Sequence, residues 1–346
     1  MSETSRGTLG MSIGWLILLY IIRAIGDVAS EPLSLMSPLG LILRTEVYVN
    51  NQWWPVLVGV LLFVITVFVA FYLHQRRDMG AGLLPSKQGR RTASRFLCSP
   101  LGLTLRMMRT MIIAWSVGMF LLGISYGSIF GDLESFIKNN DMIQQIIASH
   151  PDYSVTEQFI TQLMVILAII ATIPAVTSFL NIRSEEKKER LEHLYTKNVS
   201  RIRLFFVYVG IGCVVGPLAL LLSVIGLWLS SMMVMADPLS FSIFMKAGMV
   251  YVPAIWVVLV IASLLFAFVP KWTSIVWVYV VFSFITVYLG DLIDIPEWLV
   301  NVSSYSHIPQ LPVENVTWLS LVVLIIVWAI GTWISMAKYR YRDHVG

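Results

Sequence analysis

The chain has 346 residues, 57% of them hydrophobic and only 13% charged, with 24 Lys and Arg against 20 Asp and Glu. A soluble chain of this length needs far more charge to cover its surface, which excludes a soluble enzyme and a soluble nucleic-acid-binding domain. The net charge of +4 lies beside long apolar blocks, where the membrane surface accounts for it better than nucleic acid does.

A hydrocarbon core of about 30 Å takes about 20 apolar residues per helix, because each backbone polar group must be satisfied within the segment. Blocks of that kind predict about eight spans, at about 11–25, 53–74, 110–131, 160–182, 204–231, 249–269, 273–290 and 317–337. The fold class is therefore all-α, a polytopic membrane protein. The first block has no small-residue cleavage site after it and reads as a retained helix, not a signal peptide. Arg23, close to the end of that span, reads as snorkelling outward.

Charge sets the orientation. The stretch 75–109 holds eight Lys and Arg, the stretch 183–203 holds seven, and the tail holds Lys338, Arg340 and Arg342. The alternate loops are poor in both: 132–158 has only Lys138, and 291–316 has none but carries Asp291, Asp294, Glu297 and Glu314. By the positive-inside rule the basic stretches face the cytoplasm, and eight spans leave both termini inside a cell membrane. Cys98 falls in a basic stretch and Cys213 inside a span, so a disulfide framework is not expected.

An internal repeat runs through the chain. Gly26-Asp27 matches Gly290-Asp291 at an offset of 264, while Trp53 matches Trp318 and Arg77-Asp78 matches Arg342-Asp343 at 265. Six spans separate the copies, so they run in the same direction, as a parallel repeat. A six-span repeat makes the second copy complete and leaves the first represented by its last two spans. On that expectation four spans are missing at the front. The domain plan is 1–78 for the last two spans of a first repeat, 79–109 for a cytoplasmic linker and amphipathic helix, and 110–346 for a six-span permease domain. The outward segments 28–52 and 291–316 mix apolar residues with Pro and Trp. Either they dip back into the membrane edge beside a transport path, or their tryptophans simply anchor the interface.

Two basic-side segments stand out. Arg183 to Arg201 is dense in charge of both signs and contains no Pro or Gly. As one helix it brings Leu191, Leu194 and Tyr195 onto one face and lets Glu186 pair with Arg190 and Glu185 with Lys188. It reads as a solvated loop helix or as a docking helix for a soluble motor. In the segment Arg95 to Arg109, Ser99 and Pro100 make a helix start, with Leu101, Leu105 and Met108 on one face and Arg106 and Arg109 near the span entrance. It is an interfacial helix or the extension of the next span.

The five histidines show no metal-ligand spacing, and residues 80–89 lack the phosphate-cradling pattern of a Walker loop. No cofactor, metal or catalytic residue is expected. The spans hold almost no carboxylates, which points to an energy source outside the chain rather than to ion coupling.

The run Arg76-Arg77-Asp78-Met79-Gly80-Ala81-Gly82-Leu83-Leu84-Pro85, followed by Ser99-Pro100-Leu101-Gly102-Leu103 and Arg106, resembles the junction between the two six-span halves of bacterial ABC-2 type permeases that export polyketide and tetronasin-like antibiotics. The stretch Arg183 to Arg201 is similar to that family's coupling helix, with Glu185, Glu186, Arg190, Glu192, Val199, Ser200 and Arg201 at matching positions. Glu189 stands where the family usually has Gly, and Asn198 where Pro is usual. In the repeat, Ser304-Tyr305 stands where the first copy has Ser37-Pro38. The resemblance covers nearly the whole chain but the C-terminal two-thirds of the family's usual length. It implies a permease without its own ATP site, a separate cytoplasmic ABC ATPase subunit, and a small hydrophobic antibiotic or drug as cargo, with antibiotic resistance as the usual role. It also implies a missing first half or a second permease copy. Coupling to the ATPase would rest on Glu185, Glu186, Arg190, Glu192, Leu194 and Arg201. Two alternatives stand beside it: a membrane enzyme acting on lipid-linked substrates through Asp291, Asp294 and His307, and a non-functional exporter fragment.

Overall fold

A computed structural model of the chain describes residues 5–29, 31–76, 92–132, 155–192, 199–235, 238–293, 295–314 and 316–342, and among these residues there is no strand. Among the described residues seven stretches are helical, long and apolar enough to cross a membrane, and an eighth apolar helix, Ile275–Tyr288, has 14 residues. The chain is a polytopic helical membrane protein. The expected blocks all appear, the seventh as the short one.

The chain divides into two compact units, Met1–Thr92 and Ala93–Gly346. In the first, α1 (Ser5–Ala29) is followed by two short helices, α2 (Glu31–Leu35) and α3 (Pro38–Leu43), and by α4 (Trp54–Gln75). Ser34 ties the turn together. Its hydroxyl donates to Asp27 at 2.5 Å, and Asp27 also takes Arg23 at 3.3 Å. Arg23 is thus ion-paired with Asp27. Ser37 caps α3, accepting the Leu39 N–H, and Pro38 opens the helix.

The second unit holds α5 (Pro100–Gly127), α6 (Val155–Lys187), α7 (Arg201–Val234), α8 (Phe241–Met249), α9 (Val252–Phe268), α10 (Ile275–Tyr288), the short α11 (Gly290–Ile293) and α12 (Glu297–Val300), and α13 (Trp318–Arg340). The order from α10 to α13 repeats that of α1 to α4: an apolar helix, two short helices, a Trp-led apolar helix. The span expected at 249–269 starts earlier, at Phe241, and is broken at Val250 and Tyr251 just before Pro253. Proline near the start of α9 accounts for the break, since it cannot donate to the preceding turn.

The core lies among α6, α7 and α9, with α5 against α7, α13 against α9, and α10 against α6. In lipid there is no hydrophobic force to drive helices together, so close backbone approach and hydrogen bonds do the work. A Cβ on Gly123 would lie 2.1 Å from the Ser223 carbonyl oxygen, and one on Gly226 would lie 2.3 Å from that of Phe120. Only glycine admits α5 and α7 to that distance. Pro217 inside α7 has no N–H to give the Cys213 carbonyl, and the Trp256 indole on α9 donates to that oxygen at 3.1 Å. Ser263 on α9 and Ser335 on α13 share a buried hydrogen bond of 2.9 Å.

Candidate functional site

The ends of α6, α9 and α13 and the start of α7 meet at one end of the second unit. There α6 stops at Lys187 because the chain turns left-handed at Glu189, φ 55°. The Glu189 N–H donates to the Glu186 carbonyl at 3.0 Å and the Arg190 N–H to that of Glu185 at 3.1 Å. This is a Schellman closure, which satisfies carbonyls left over at a helix end and usually places Gly at the left-handed residue. The expectation of one helix through 183–201 is corrected accordingly. A continuous helix cannot pass a residue with positive φ.

The closure also re-sorts the ion pairs. Arg190 donates to both oxygens of Glu185, at 3.3 and 3.4 Å, and not to Glu186. Glu185 is buried and Arg190 half exposed. Removing the arginine would strand a buried carboxylate, which destabilises more than the loss of an exposed pair would. Glu186 turns the other way and takes Arg342. The Glu185–Lys188 pairing is likewise not formed as an i, i+3 helical pair, because Lys188 lies past the last helical residue.

Leu191 is 2% exposed and roots the turn in the core, while Lys187, Lys188, Glu189, Arg190 and Glu192 are exposed around it. Leu194 and Tyr195 lie outside the described residues. Ser200 caps α7 by accepting the Arg203 N–H. Arg201, in its first turn, donates to the Arg342 carbonyl at 2.9 Å. On the opposite side of the turn Arg183 donates to the Thr273 hydroxyl and to the Lys271 carbonyl. Beneath these charges Phe179, Phe205, Phe266 and Tyr339 pack ring to ring, with centroids 5.4–5.9 Å apart.

Arg342 is the residue that sequence reasoning missed as a site. It entered the sequence reading only as a repeat landmark and a tail charge. Its partner Glu186 lies 156 residues away, and no local spacing announces that.

Arg95, Arg106 and Arg109 are all exposed. The helix that carries the last two runs unbroken from Pro100 to Gly127, with the Ser99 hydroxyl accepting the Gly102 N–H at 3.0 Å. The cap is as expected, and Arg106 and Arg109 belong to the same continuous helix as the apolar run that follows them. The predicted apolar face is corrected in part. Met108 is 2% exposed, but Leu101 is 41% exposed, and Thr104 takes the buried position instead.

At the other end of the unit the segment after α12 enters the bundle. The Tyr305 side chain is buried and its hydroxyl bonds with that of Thr172, at the midpoint of α6. Thr161 donates to the Leu311 carbonyl at 3.1 Å, and Tyr279 accepts the Ser304 N–H at 2.9 Å. Burial raises the Tyr305 phenol well above its usual pKa, against the opposing hydrogen bond of Thr172, so the hydroxyl stays neutral. His307 faces the Asn301 carbonyl at 2.9 Å, and Asp294 and the side chain of Asp291 lie outside the described residues.

Residues 97–340 match the family model described as Multidrug efflux system permease Rv1217c, C-terminal domain. The chain belongs to this multidrug efflux permease family. It is 28% identical over 346 residues to the multidrug efflux system permease protein Rv1217c of Mycobacterium tuberculosis (strain ATCC 25618 / H37Rv). That match takes in 99% of the chain and 63% of the relative, so the chain spans less than two thirds of the relative's length. The matched region contains the whole set of helices from α5 to α13, including the charged turn and the buried Tyr305 segment.

Proposed function

We propose that the chain is the membrane permease part of an ATP-driven exporter of antibiotics or other hydrophobic drugs. A separate cytoplasmic ABC ATPase docks on the turn 187–192 and drives alternating access. The observation that carries this reading is the turn itself: five exposed charged side chains held in a defined geometry and rooted in the core by Leu191. A solvated loop needs no such root, whereas a surface that receives force from a soluble partner does. The similarity to a multidrug efflux permease of M. tuberculosis supports export as the direction. The junction residues Arg76 to Pro85 and Ser99 to Arg106 support the polyketide and tetronasin-like branch of the ABC-2 permeases.

In this reading the charged end faces the cytoplasm, in keeping with the positive-inside rule, and both termini are inside. Glu185 and Arg190 hold the shape of the turn, and Glu189, Arg190 and Glu192 meet the ATPase. No residue of this chain acts in catalysis. The test is to purify the tagged protein gently from its native membrane and identify what accompanies it. A co-purifying ATPase, whose inactivation abolishes drug efflux, would support the reading. An efflux rate indifferent to that inactivation would sink it. Replacing Arg190 by Ala should weaken ATPase association, and unchanged co-purification would remove the turn from the docking surface.

A further inference from the structure

Arg342 sits just past α13, and its side chain is 12% exposed. It serves four elements at once. One guanidinium nitrogen donates to Glu186 on the last turn of α6, and the other to the Phe266 carbonyl on the last turn of α9. Its own carbonyl accepts Arg201 at the start of α7. Its planar group lies over the rings of Phe266 and Tyr339, 4.7 and 5.2 Å from their centroids.

The Phe266 contact has a cause in the sequence. That carbonyl would bond to the N–H four residues on, but position 270 is proline and has none. An orphan carbonyl at a helix end needs a donor from elsewhere, and a cation suits the negative end of the helix dipole. A guanidinium presents two donors in a fixed fork and can serve carboxylate and carbonyl together. A lysine is a single point charge and cannot.

We infer that Arg342 is the positioning residue that ties the coupling turn to α7, α9 and α13, so that displacement of 185–192 moves these helix ends as one body. The inference rests on the exporter reading for its functional half and on geometry alone for its mechanical half.

The experiment separates the two. Wild type, Arg342→Gln, Arg342→Lys and Glu186→Gln are each reconstituted in lipid nanodiscs. Backbone hydrogen exchange is then followed at 183–192, 201–206 and 262–269. Arg342→Gln should raise exchange at 183–192 and 262–269 together, by about tenfold, and at 201–206 by less, since Arg201 is held through the backbone carbonyl of residue 342. Glu186→Gln, which spares the Phe266 and Arg201 contacts, should raise it at 183–192 alone. Arg342→Lys should fall between. A rise confined to 338–342 in Arg342→Gln would overturn the inference.

In cells, Arg342→Gln should lower drug exported per ATP hydrolysed by about tenfold, within the usual range of coupling energies, while ATP hydrolysis continues. A general folding defect would lower both together and would count against the inference. If Arg342→Gln does not accumulate in the membrane, Glu186→Gln decides, and wild-type export by that variant would overturn the tie. A wild-type chain that exports nothing above an empty vector would sink the exporter reading, and the exchange data would then decide the Arg342 tie by themselves.

Discussion

Trp256 donates its indole N–H to the carbonyl of Cys213, the oxygen that Pro217 leaves without a helical donor. The relationship joins α7 to α9 at membrane depth, where no water can stand in for the missing bond.

Trp256→Phe keeps an aromatic ring and removes the donor. It should cost about 1–3 kcal/mol, the usual penalty for a stranded buried polar group. Pro217→Ala restores an N–H at the position that serves Cys213, so in that background the cost of Trp256→Phe should fall by half or more. A double-mutant cycle on unfolding in mixed micelles reads this directly. Equal costs in both backgrounds would show that Trp256 acts through packing alone.

Glu189 holds a left-handed conformation at φ 55°, which burdens an L residue bearing a side chain by about 1–2 kcal/mol. Glu189→Gly should therefore stabilise the fold by about 1 kcal/mol, less than the full strain because glycine also loosens the unfolded chain. Thermal unfolding in detergent would register this as a rise in Tm. A fall would mean that the glutamate side chain makes a contact worth more than the strain.

Tyr305 and Thr172 lose little when only the phenolic oxygen goes, because the Thr172 hydroxyl also donates to the Ala168 carbonyl at 3.0 Å. Tyr305→Phe should cost about 0.5–1.5 kcal/mol. Tyr305→Ala empties a buried ring site and should cost about 3–5 kcal/mol. It should also expose 301–314 to proteolysis. Equal effects of the two substitutions would show that the hydroxyl pair, not the ring, seats the segment.

On α5, Gly123→Ala should destabilise by about 1–3 kcal/mol, since the new methyl would run into the backbone of α7. Gly118, on the same helix, has nothing within 4 Å, and Gly118→Ala should change stability by no more than about 0.5 kcal/mol. Both are read by the same unfolding assay, and a cost at Gly118 equal to that at Gly123 would refute the close approach.

The spans were legible because a membrane helix writes its own length: 54–75 and 318–340 each form an apolar run closed by basic residues, and the helices begin and end there. The Ser99-Pro100 start was legible for the same reason, since its chemistry is local. The end of α6 was not. Nothing in Lys188-Glu189-Arg190 marks a left-handed turn, and the resemblance alone flagged position 189, as a place where glycine was expected. Long-range relations were silent. The segment holding Tyr305 could be read as dipping back or as merely anchored by tryptophan, and its seat against Thr172 lies 133 residues away in sequence. Arg342 looked like one more positive charge on the inner face, because charge rules count residues without saying whom they hold.

The glycine contact between α5 and α7 has a mechanical consequence. Two helices whose backbones touch through Gly123 and Gly226 have no side-chain cushion between them. Neither can roll or slide without driving a Cα into a carbonyl. Under the exporter reading, a displacement that reaches α7 therefore carries α5 with it.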